Sequence, residues 1–386
     1  MAQVSDIAPE IVPGLAGEAT PVVHLPETER IPVAVLGATG SVGQRFVQLL
    51  ANHPWFRLHE VAASERSAGK YYGETAEWRL DSALPEPAAS LVIKPASERL
   101  ESKLVFSALD SSVAGDVEEE HAARGCAVVS NSHNHRMAPD VPLLIPEINP
   151  DHLGAIEVQK KRRGGEGYIV TNPNCSTIGL TLAIAPIEQQ HGIETIHAVT
   201  LQAISGAGYA GVSSWSILDN VIPAISGEED KIETEPRKIL GLWAKEAFHD
   251  AGFRISAQTN RVPVLDGHLI CMSIAFRNRH DLLRHFPIER LIDDVRAAID
   301  SFVGEPQLLR LPSAPKKPLH YVEEPDRPQP RLDRSREGGM AVSVGRLRPC
   351  TLLDLRMVAL VHNTIRGAAG AAILNAEMLK AKGLLP

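Results

Sequence analysis

The residues best suited to covalent chemistry lie in Asn172-Pro173-Asn174-Cys175-Ser176-Thr177. Residues 168–171 before them read as a short strand, and residues 178–187 after them as a helix. Cys175 is therefore expected at a strand-to-helix junction. There the free N–H groups and the positive end of the helix dipole lower a thiol pKa and can hold an oxyanion. Cys126, Cys271 and Cys350 fall in or beside strand patterns and read as buried packing residues. No two cysteines have the spacing of a zinc ribbon or a dithiol redox pair, so no metal site is expected.

A second feature is the β-rich run 31–36, followed at once by Gly37-Ala38-Thr39-Gly40-Ser41-Val42-Gly43. Phe46, Val47 and Leu50 then recur at helical spacing. A strand, a Gly-rich turn and a helix bring backbone close to a pyrophosphate at a helix N-terminus. The glycines differ from the G-x-G-x-x-G fingerprint at one position. A turn that merely joins strand to helix would carry similar glycines, but the strand series beyond favours a dinucleotide. After Ala62-Ala63 comes Ser64-Glu65-Arg66-Ser67. Glu65 would suit the ribose 2′-hydroxyl of NAD. Ser64, Arg66 and Ser67 would cradle a 2′-phosphate, and NADP is the favoured cofactor.

A thiol beside a nicotinamide has a specific use. Thiolate adds to an aldehyde carbon, hydride leaves to the cofactor, and a second nucleophile releases the resulting thioester. The step needs a base, and His268 is the candidate. It lies seven residues after Arg261, in Arg261-Val262-Pro263-Val264-Leu265-Asp266-Gly267-His268. Asp266-Gly267 is a turn signal, which predicts Arg261 and His268 on two neighbouring strands of one hairpin.

These groups need a scaffold. Apolar runs at 58–63, 91–93, 104–108 and 127–129 alternate with helix-compatible segments, predicting an α/β, doubly wound parallel sheet. Beyond residue 193 longer alternating strands appear at 195–203, 255–264, 269–276, 341–347 and 352–360. Helices are expected near 213–222, 236–249 and 288–303. Together these predict a second, mixed-sheet α+β domain. Residues 160–165 read as a surface loop, 311–336 as a long connection, and 364–382 as a final helix. The predicted division is an extension over 1–29, poorly ordered, a nucleotide-binding domain over 30–172 plus 362–386, and a catalytic and oligomerisation domain over 173–361.

Composition bounds the function. At roughly 150 residues per domain, 386 residues make two or three domains. The 44% apolar and 22% charged content excludes a disordered or fibrous chain. With 39 Lys and Arg against 47 Asp and Glu, the net charge of −8 argues against nucleic-acid or anionic-membrane partners. No apolar run reaches the roughly 18 residues of a membrane span, and the first basic residue is Arg30, unlike a secretory signal. A cytoplasmic location is expected.

The chain resembles the aspartate-semialdehyde dehydrogenase family, in its archaeal and fungal branch. The resemblance runs from Ile31 to the C-terminus through GATGSVG (37–43), ASERSAGK (63–70), SNSHNHRM (130–137), NPNCSTIG (172–179), QAISGAGYAGV (202–212), EEDKIETE (228–235), RVPVLDGH (261–268) and NTIRGAAG (363–370). It implies a Rossmann-type NADP-binding domain and NADPH-dependent reductive dephosphorylation of aspartyl 4-phosphate, on the route to lysine, methionine, threonine and isoleucine. It further implies Cys175 as nucleophile, His268 as acid/base and Gln202 orienting the acyl group. Arg261 would clamp the substrate α-carboxylate and Glu228 the α-ammonium. Lys231, Arg136 and Asn134 would meet the phosphate. Gly37, Thr39, Gly40, Ser41, Val42, Gly43, Ser64, Arg66, Ser67, Ser205, Gly206, Gly208 and Asn363 would bind the cofactor, and a homodimer or homotetramer is expected. Two alternatives remain. One is a related acyl reductase, acting on malonyl-coenzyme A or N-acetyl-glutamyl phosphate, which has no free α-ammonium to recognise. The other is a nucleotide-binding redox regulator that switches through Cys175 and needs no residues converging on the thiol.

Overall fold

The computed structural model describes residues 24–209, 211–279 and 287–385. Of the extension expected over 1–29, residues 1–23 lie outside the described residues, and Glu27–Glu29 form one 3-10 turn.

Six short strands build an all-parallel sheet: β1 (Ile31–Leu36), β2 (Phe56–Ala63), β3 (Ile93–Pro95), β4 (Leu104–Ser107), β5 (Ala127–Ser130) and β6 (Tyr168–Thr171). Their order is β3-β2-β1-β4-β5-β6. Every residue of β4, β5 and β6 is buried, as expected for strands covered on both faces. From β1 the chain goes first to β2 on one side and later to β4 on the other. That reversal leaves a crevice at the carboxyl end of β1, where ligands of doubly wound sheets bind. The glycine loop occupies it. Gly37 has φ +72°, and a Cβ on Gly43 would lie 2.1 Å from the Gly37 carbonyl oxygen. The following helix, Ser41–Leu50, packs Phe46 on Phe106 of β4 with ring centroids 5.0 Å apart. From the side, buried Tyr72 donates its hydroxyl to the Ala38 carbonyl at 2.8 Å.

The second sheet is mixed. It contains β7 (Ile193–Gln202), β10 (Arg254–Arg261), β11 (His268–Phe276), β12 (Leu319–Val322), β13 (Val342–Pro349) and β14 (Leu355–Val361), ordered β10-β7-β11-β14-β13-β12. A separate hairpin pairs β8 (Leu242–Ala244) with β9 (Ala247–His249). Helices Cys175–His191, Glu228–Ile239 and Ile288–Ser301 pack on this sheet. In β7, His197 is exposed and Val199 and Leu201 are half-buried, while Ile196, Ala198 and Thr200 between them are buried. This alternation marks a sheet with one helix-covered face and one open face.

The helix Cys175–His191 starts four residues after the end of β6 of the first sheet and packs into the core of the second. It is apolar all round because it is surrounded. Ile178, Leu180, Leu182, Ile184 and Ile187 are all buried, each worth on the order of 2 kcal/mol. The final helix, Gly370–Ala381, returns to the first sheet's core through Ile373, Leu374, Met378 and Leu379.

Several expectations are corrected. Arg261 and His268 do not share a hairpin, because β7 lies between β10 and β11, parallel to one and antiparallel to the other. The helix expected over 236–249 runs instead over Glu228–Ile239. Glu228, Glu229 and Asp230 occupy its first turn, where the dipole favours anions, and the β8–β9 hairpin follows. Within 213–222 only Ser214–Ile217 is helical, since Leu218 and Val221 are exposed and offer no face to bury. Lys160 to Arg163 are not loop. They form the last turn of helix Ala155–Arg163, where cations suit the dipole, and Gly164 ends it at φ +65°. The connection over 311–336 contains β12, which adds to the edge of the second sheet by pairing with β13. The final helix opens with a π turn, Ile365–Ala369. Among the other cysteines only Cys126 is buried. Cys271 points out of the open sheet face and Cys350 is half-buried beside a turn.

Candidate active site

Cys175 is the first residue of its helix. Asn174 caps that helix, its Oδ1 accepting the N–H groups of Ser176 at 2.9 Å and Thr177 at 3.3 Å. The thiol edges a cleft of about 440 Å³ between the two sheets. Gly367 packs against it so closely that a Cβ there would lie 2.8 Å from Cys175 Cβ. The expected lowering of the thiol pKa is corrected. Burial pushes it up to about 12, and Glu228 pushes the same way. Arg136, Arg261 and the Ser176 N–H pull it down by less. One helix terminus does not offset that desolvation, so the resting thiol is protonated and needs a base.

The ends of three adjacent strands supply the rest. Gln202 ends β7, Arg261 ends β10 directly opposite it, and His268 starts β11. His268 is fully buried. Its Nδ1 accepts from the Ala203 N–H at 3.0 Å, which places the proton of the neutral ring on Nε2. Nε2 has no partner among the described residues. Burial holds its pKa down at about 3, and the Arg261 charge adds to the shift, so the ring is neutral at physiological pH. Arg261 donates Nη1 to the Ala203 carbonyl at 2.9 Å. Gly206 crosses both groups. A Cβ there would sit 2.8 Å from Arg261 Nη1 and 3.2 Å from His268 Nε2.

The opposite wall is the helix Glu228–Ile239. Glu228 receives Asn174 Nδ2 at 3.0 and 2.8 Å, Lys231 Nζ at 2.9 Å and Gln202 Nε2 at 3.4 Å. Burial raises its pKa, but the Lys231 charge and these donors outweigh that and leave it lowered, hence ionised. Arg136 is buried at the cleft edge, giving Nη1 to Glu235 at 2.9 Å and Nη2 to the Asn131 carbonyl at 2.7 Å. Asn134 does not line the cleft. It is exposed, with its amide tied to the Ser111 carbonyl at 3.0 Å, and Asn131 takes the place facing the cleft.

Beside the glycine loop a hollow of about 620 Å³ is lined by Gly37, Thr39, Gly40, Ser41, Val42, Ser64 and Glu65. Three expected cofactor contacts line neither this hollow nor the cleft. Gly43 is buried beneath the loop as a packing residue. Ser67 is drawn into a turn by its N–H bond to the Ser64 carbonyl at 2.8 Å, and Arg66 stands exposed on that turn. Ser205, Gly206, Gly208 and Asn363 line the catalytic cleft. Asn363 fixes this loop, donating to Ser205 Oγ at 2.7 Å and accepting from the Gly267 N–H at 2.8 Å. Ser41 and Gly208 border both the cleft and the hollow, so the two spaces adjoin.

Sequence reasoning missed the supporting groups. Asn174 holds the nucleophile's helix and Glu228 together, and its N-cap position was the available signal. Glu235 and Lys238 lie seven and ten residues after Glu228 on the same helix face. Arg366 and Glu147, far apart in sequence, form a fully buried two-pronged ion pair at 2.8 and 2.6 Å next to Gly367. Among the described residues no group of His, Cys, Asp and Glu could hold a metal ion, and no helix is long and apolar enough to cross a membrane.

Two family models match the chain. Residues 32–156 match the semialdehyde dehydrogenase NAD-binding domain, and residues 184–366 match its dimerisation domain. The aspartate-semialdehyde dehydrogenase of Methanothermobacter thermautotrophicus is 50% identical over 90% of this chain and 99% of its own. That of Archaeoglobus fulgidus is 48% identical over 91% and 98%. The crystal structure of the Candida albicans enzyme with NADP superposes with a TM-score of 0.83 at 46% identity, covering 92% of this chain and 99% of that one. With a thiol at a helix start beside a glycine-loop crevice, and relatives this similar over nearly their whole length, the chain belongs to the aspartate-semialdehyde dehydrogenase family.

Proposed function

We propose that the chain catalyses NADPH-dependent reduction of aspartyl 4-phosphate to aspartate 4-semialdehyde and phosphate, through a thioester on Cys175. The observation that carries this reading is the charge pattern around the thiol. Glu228 offers one anion, and Arg261, Lys231 and Arg136 offer three cations, bordering one cleft. The substrate bears an ammonium, a carboxylate and a phosphate. A malonyl-type substrate would bring no ammonium for Glu228 to bind, and a redox switch would not need the set.

The hollow at the glycine loop suits a dinucleotide, since Gly37, Thr39, Gly40, Ser41 and Val42 border it where helix Ser41–Leu50 begins. The first-turn N–H groups of helix Ser41–Leu50 favour an anion there. NADP, when bound, supplies the redox partner for the acyl carbon. The chain's own residues do the rest. Neutral His268 presents its Nε2–H to the acyl oxygen as the acid while sulfur attacks the acyl carbon, and the Cys175 proton leaves on the departing phosphate. Phosphate leaves toward Lys231 and Arg136. Gln202 and the backbone N–H of Cys175, the first-turn donor that Asn174 does not cap, stabilise the oxyanion. Arg261 grips the α-carboxylate with its planar fork and Glu228 the α-ammonium, which positions the reacting carbon. Asn134 has no part in this set.

The units proposed are a nucleotide-binding body over 30–172 plus 362–386 and a catalytic body over 173–361. The open face of the second sheet is the proposed dimer contact, giving a cytoplasmic homodimer or a tetramer of two such pairs. The test is a steady-state assay of NADP reduction with aspartate semialdehyde and phosphate. Absence of phosphate-dependent reduction removes the reading.

A further inference from the structure

Helix Glu228–Ile239 carries four charged residues on one face, at 228, 231, 235 and 238. Glu228 and Lys231 face the cleft. Glu235 and Lys238 are buried behind them, at 2% and 3% exposure, and the mechanism above gives neither a part. Glu235 divides its two oxygens. Oε1 accepts from Arg136 Nη1 at 2.9 Å, and Oε2 accepts from the backbone N–H of Asn174 at 2.7 Å. A single carboxylate thus joins a guanidinium at the cleft edge to the residue preceding the nucleophile. Lys238 holds the backbone around Arg136 from behind. Its Nζ donates to the carbonyls of Arg136, Ala138 and Val141 at 2.8, 2.8 and 2.9 Å, fixing the loop that carries Arg136.

A guanidinium has five N–H donors. Glu235 and the Asn131 carbonyl take one each, which fixes the plane of Arg136, while Nε is buried without a partner among the described residues. The remaining donors are therefore pre-aimed. Without Glu235 the side chain would recover rotamer freedom and lose its charge partner, and an oxyanion would have to order it on binding.

We propose that Glu235 is a positioning residue: it orients Arg136 toward the phosphoryl oxygens and locks that orientation to the Asn174–Cys175 junction. It acts through Arg136 and touches no substrate. The inference rests on the reading of Arg136 as a phosphate ligand. It goes further in assigning the geometry of that subsite to a buried carboxylate on the helix that also carries the ammonium-binding group.

The test follows aldehyde oxidation with inorganic phosphate as the varied substrate. In Glu235→Gln, KM for phosphate is expected to rise on the order of tenfold, while KM for aspartate semialdehyde and for NADP stays within about twofold. In an Arg136→Gln background the same substitution should add no further change in phosphate KM, because the two residues act as one unit. An equal loss against all three substrates, or a kcat loss with phosphate KM unchanged, overturns the proposal. If Glu235→Gln does not fold, as judged by its thermal transition and NADP binding, Glu235→Asp replaces it. That variant keeps the charge but is one methylene too short to hold both partners, and it should show the same phosphate-selective split. A wild-type enzyme without phosphate-dependent activity would instead remove the functional reading itself.

Discussion

Arg261 and His268 meet on one backbone residue: Ala203 accepts from Arg261 Nη1 at 2.9 Å and donates to His268 Nδ1 at 3.0 Å. The group proposed to hold the substrate carboxylate and the group proposed to move the proton therefore share one rigid reference. Lysine at 261 would keep the charge but lose the fork and the fixed bond to Ala203. Arg261→Lys is expected to lower kcat/KM for aspartate semialdehyde by roughly tenfold to a thousandfold, about 1.4 to 4 kcal/mol of transition-state stabilisation. Because the lost contact positions the carbonyl, kcat should fall as well as KM rise. Steady-state kinetics on both parameters check this, and an unchanged kcat/KM would assign the carboxylate elsewhere.

Glu228 is held ionised by Lys231, Asn174 and Gln202. Glu228→Gln removes its charge while keeping an acceptor for Asn174. The expected effect is a loss on the order of tenfold or more with aspartate semialdehyde, and little loss with a simple aldehyde that lacks the α-ammonium. The quantity to compare is the ratio of the two kcat/KM values in wild type and variant. An unchanged ratio would favour a malonyl-type substrate.

Arg66 stands exposed on the turn after β2, next to Ser64 and Glu65 at the edge of the nucleotide hollow. If its guanidinium reaches a 2′-phosphate, Arg66→Ala should weaken NADP by on the order of tenfold or more and leave NAD nearly unchanged, since only NADP carries that dianion. Fluorescence titration with both cofactors measures this. Equal weakening would show that Arg66 does not read the 2′-position.

The buried imidazole of His268 gives a pH dependence of stability. Its pKa is about 3 in the folded chain, against an ordinary value near 6.5 once unfolded. Between those values the unfolded chain binds a proton that the folded chain does not, so stability falls as pH drops through this window. His362, held down at about 4 by burial, acts in the same direction. His268→Asn keeps an acceptor for the Ala203 N–H and cannot be protonated. Denaturant unfolding from pH 7 to 4 should show a shallower loss of stability in the variant. Identical slopes would mean that His268 is not buried neutral.

The parts of this architecture that depend on local pattern were readable in the chain. The glycine loop announces itself because strand, turn and helix are contiguous over residues 31–50. Cys175 stands out because a thiol at a predicted helix start is chemically distinctive. What failed was non-local. Asp266-Gly267 looks like a hairpin turn, yet β7, some sixty residues earlier, inserts between β10 and β11. Local spacing cannot record which strand intervenes. The thiol's pKa departs from the local expectation for a similar reason: the helix terminus is local, but the burial and the Glu228 charge that outweigh it come from other segments. Glu235, Glu147 and Arg366 read as ordinary charges, because their burial and partners depend on packing between segments from about sixty to more than two hundred residues apart.

The central claim is that Cys175 carries the acyl group until phosphate removes it. The most direct measurement mixes enzyme, NADP and excess aspartate semialdehyde without phosphate and follows NADPH absorbance on rapid mixing. A burst of about one NADPH per active site is expected, then near arrest, with turnover resuming when phosphate is added. Cys175→Ser should bind NADP normally and give no burst. A burst of equal size in Cys175→Ser, or steady turnover of the wild type without phosphate, would contradict the account.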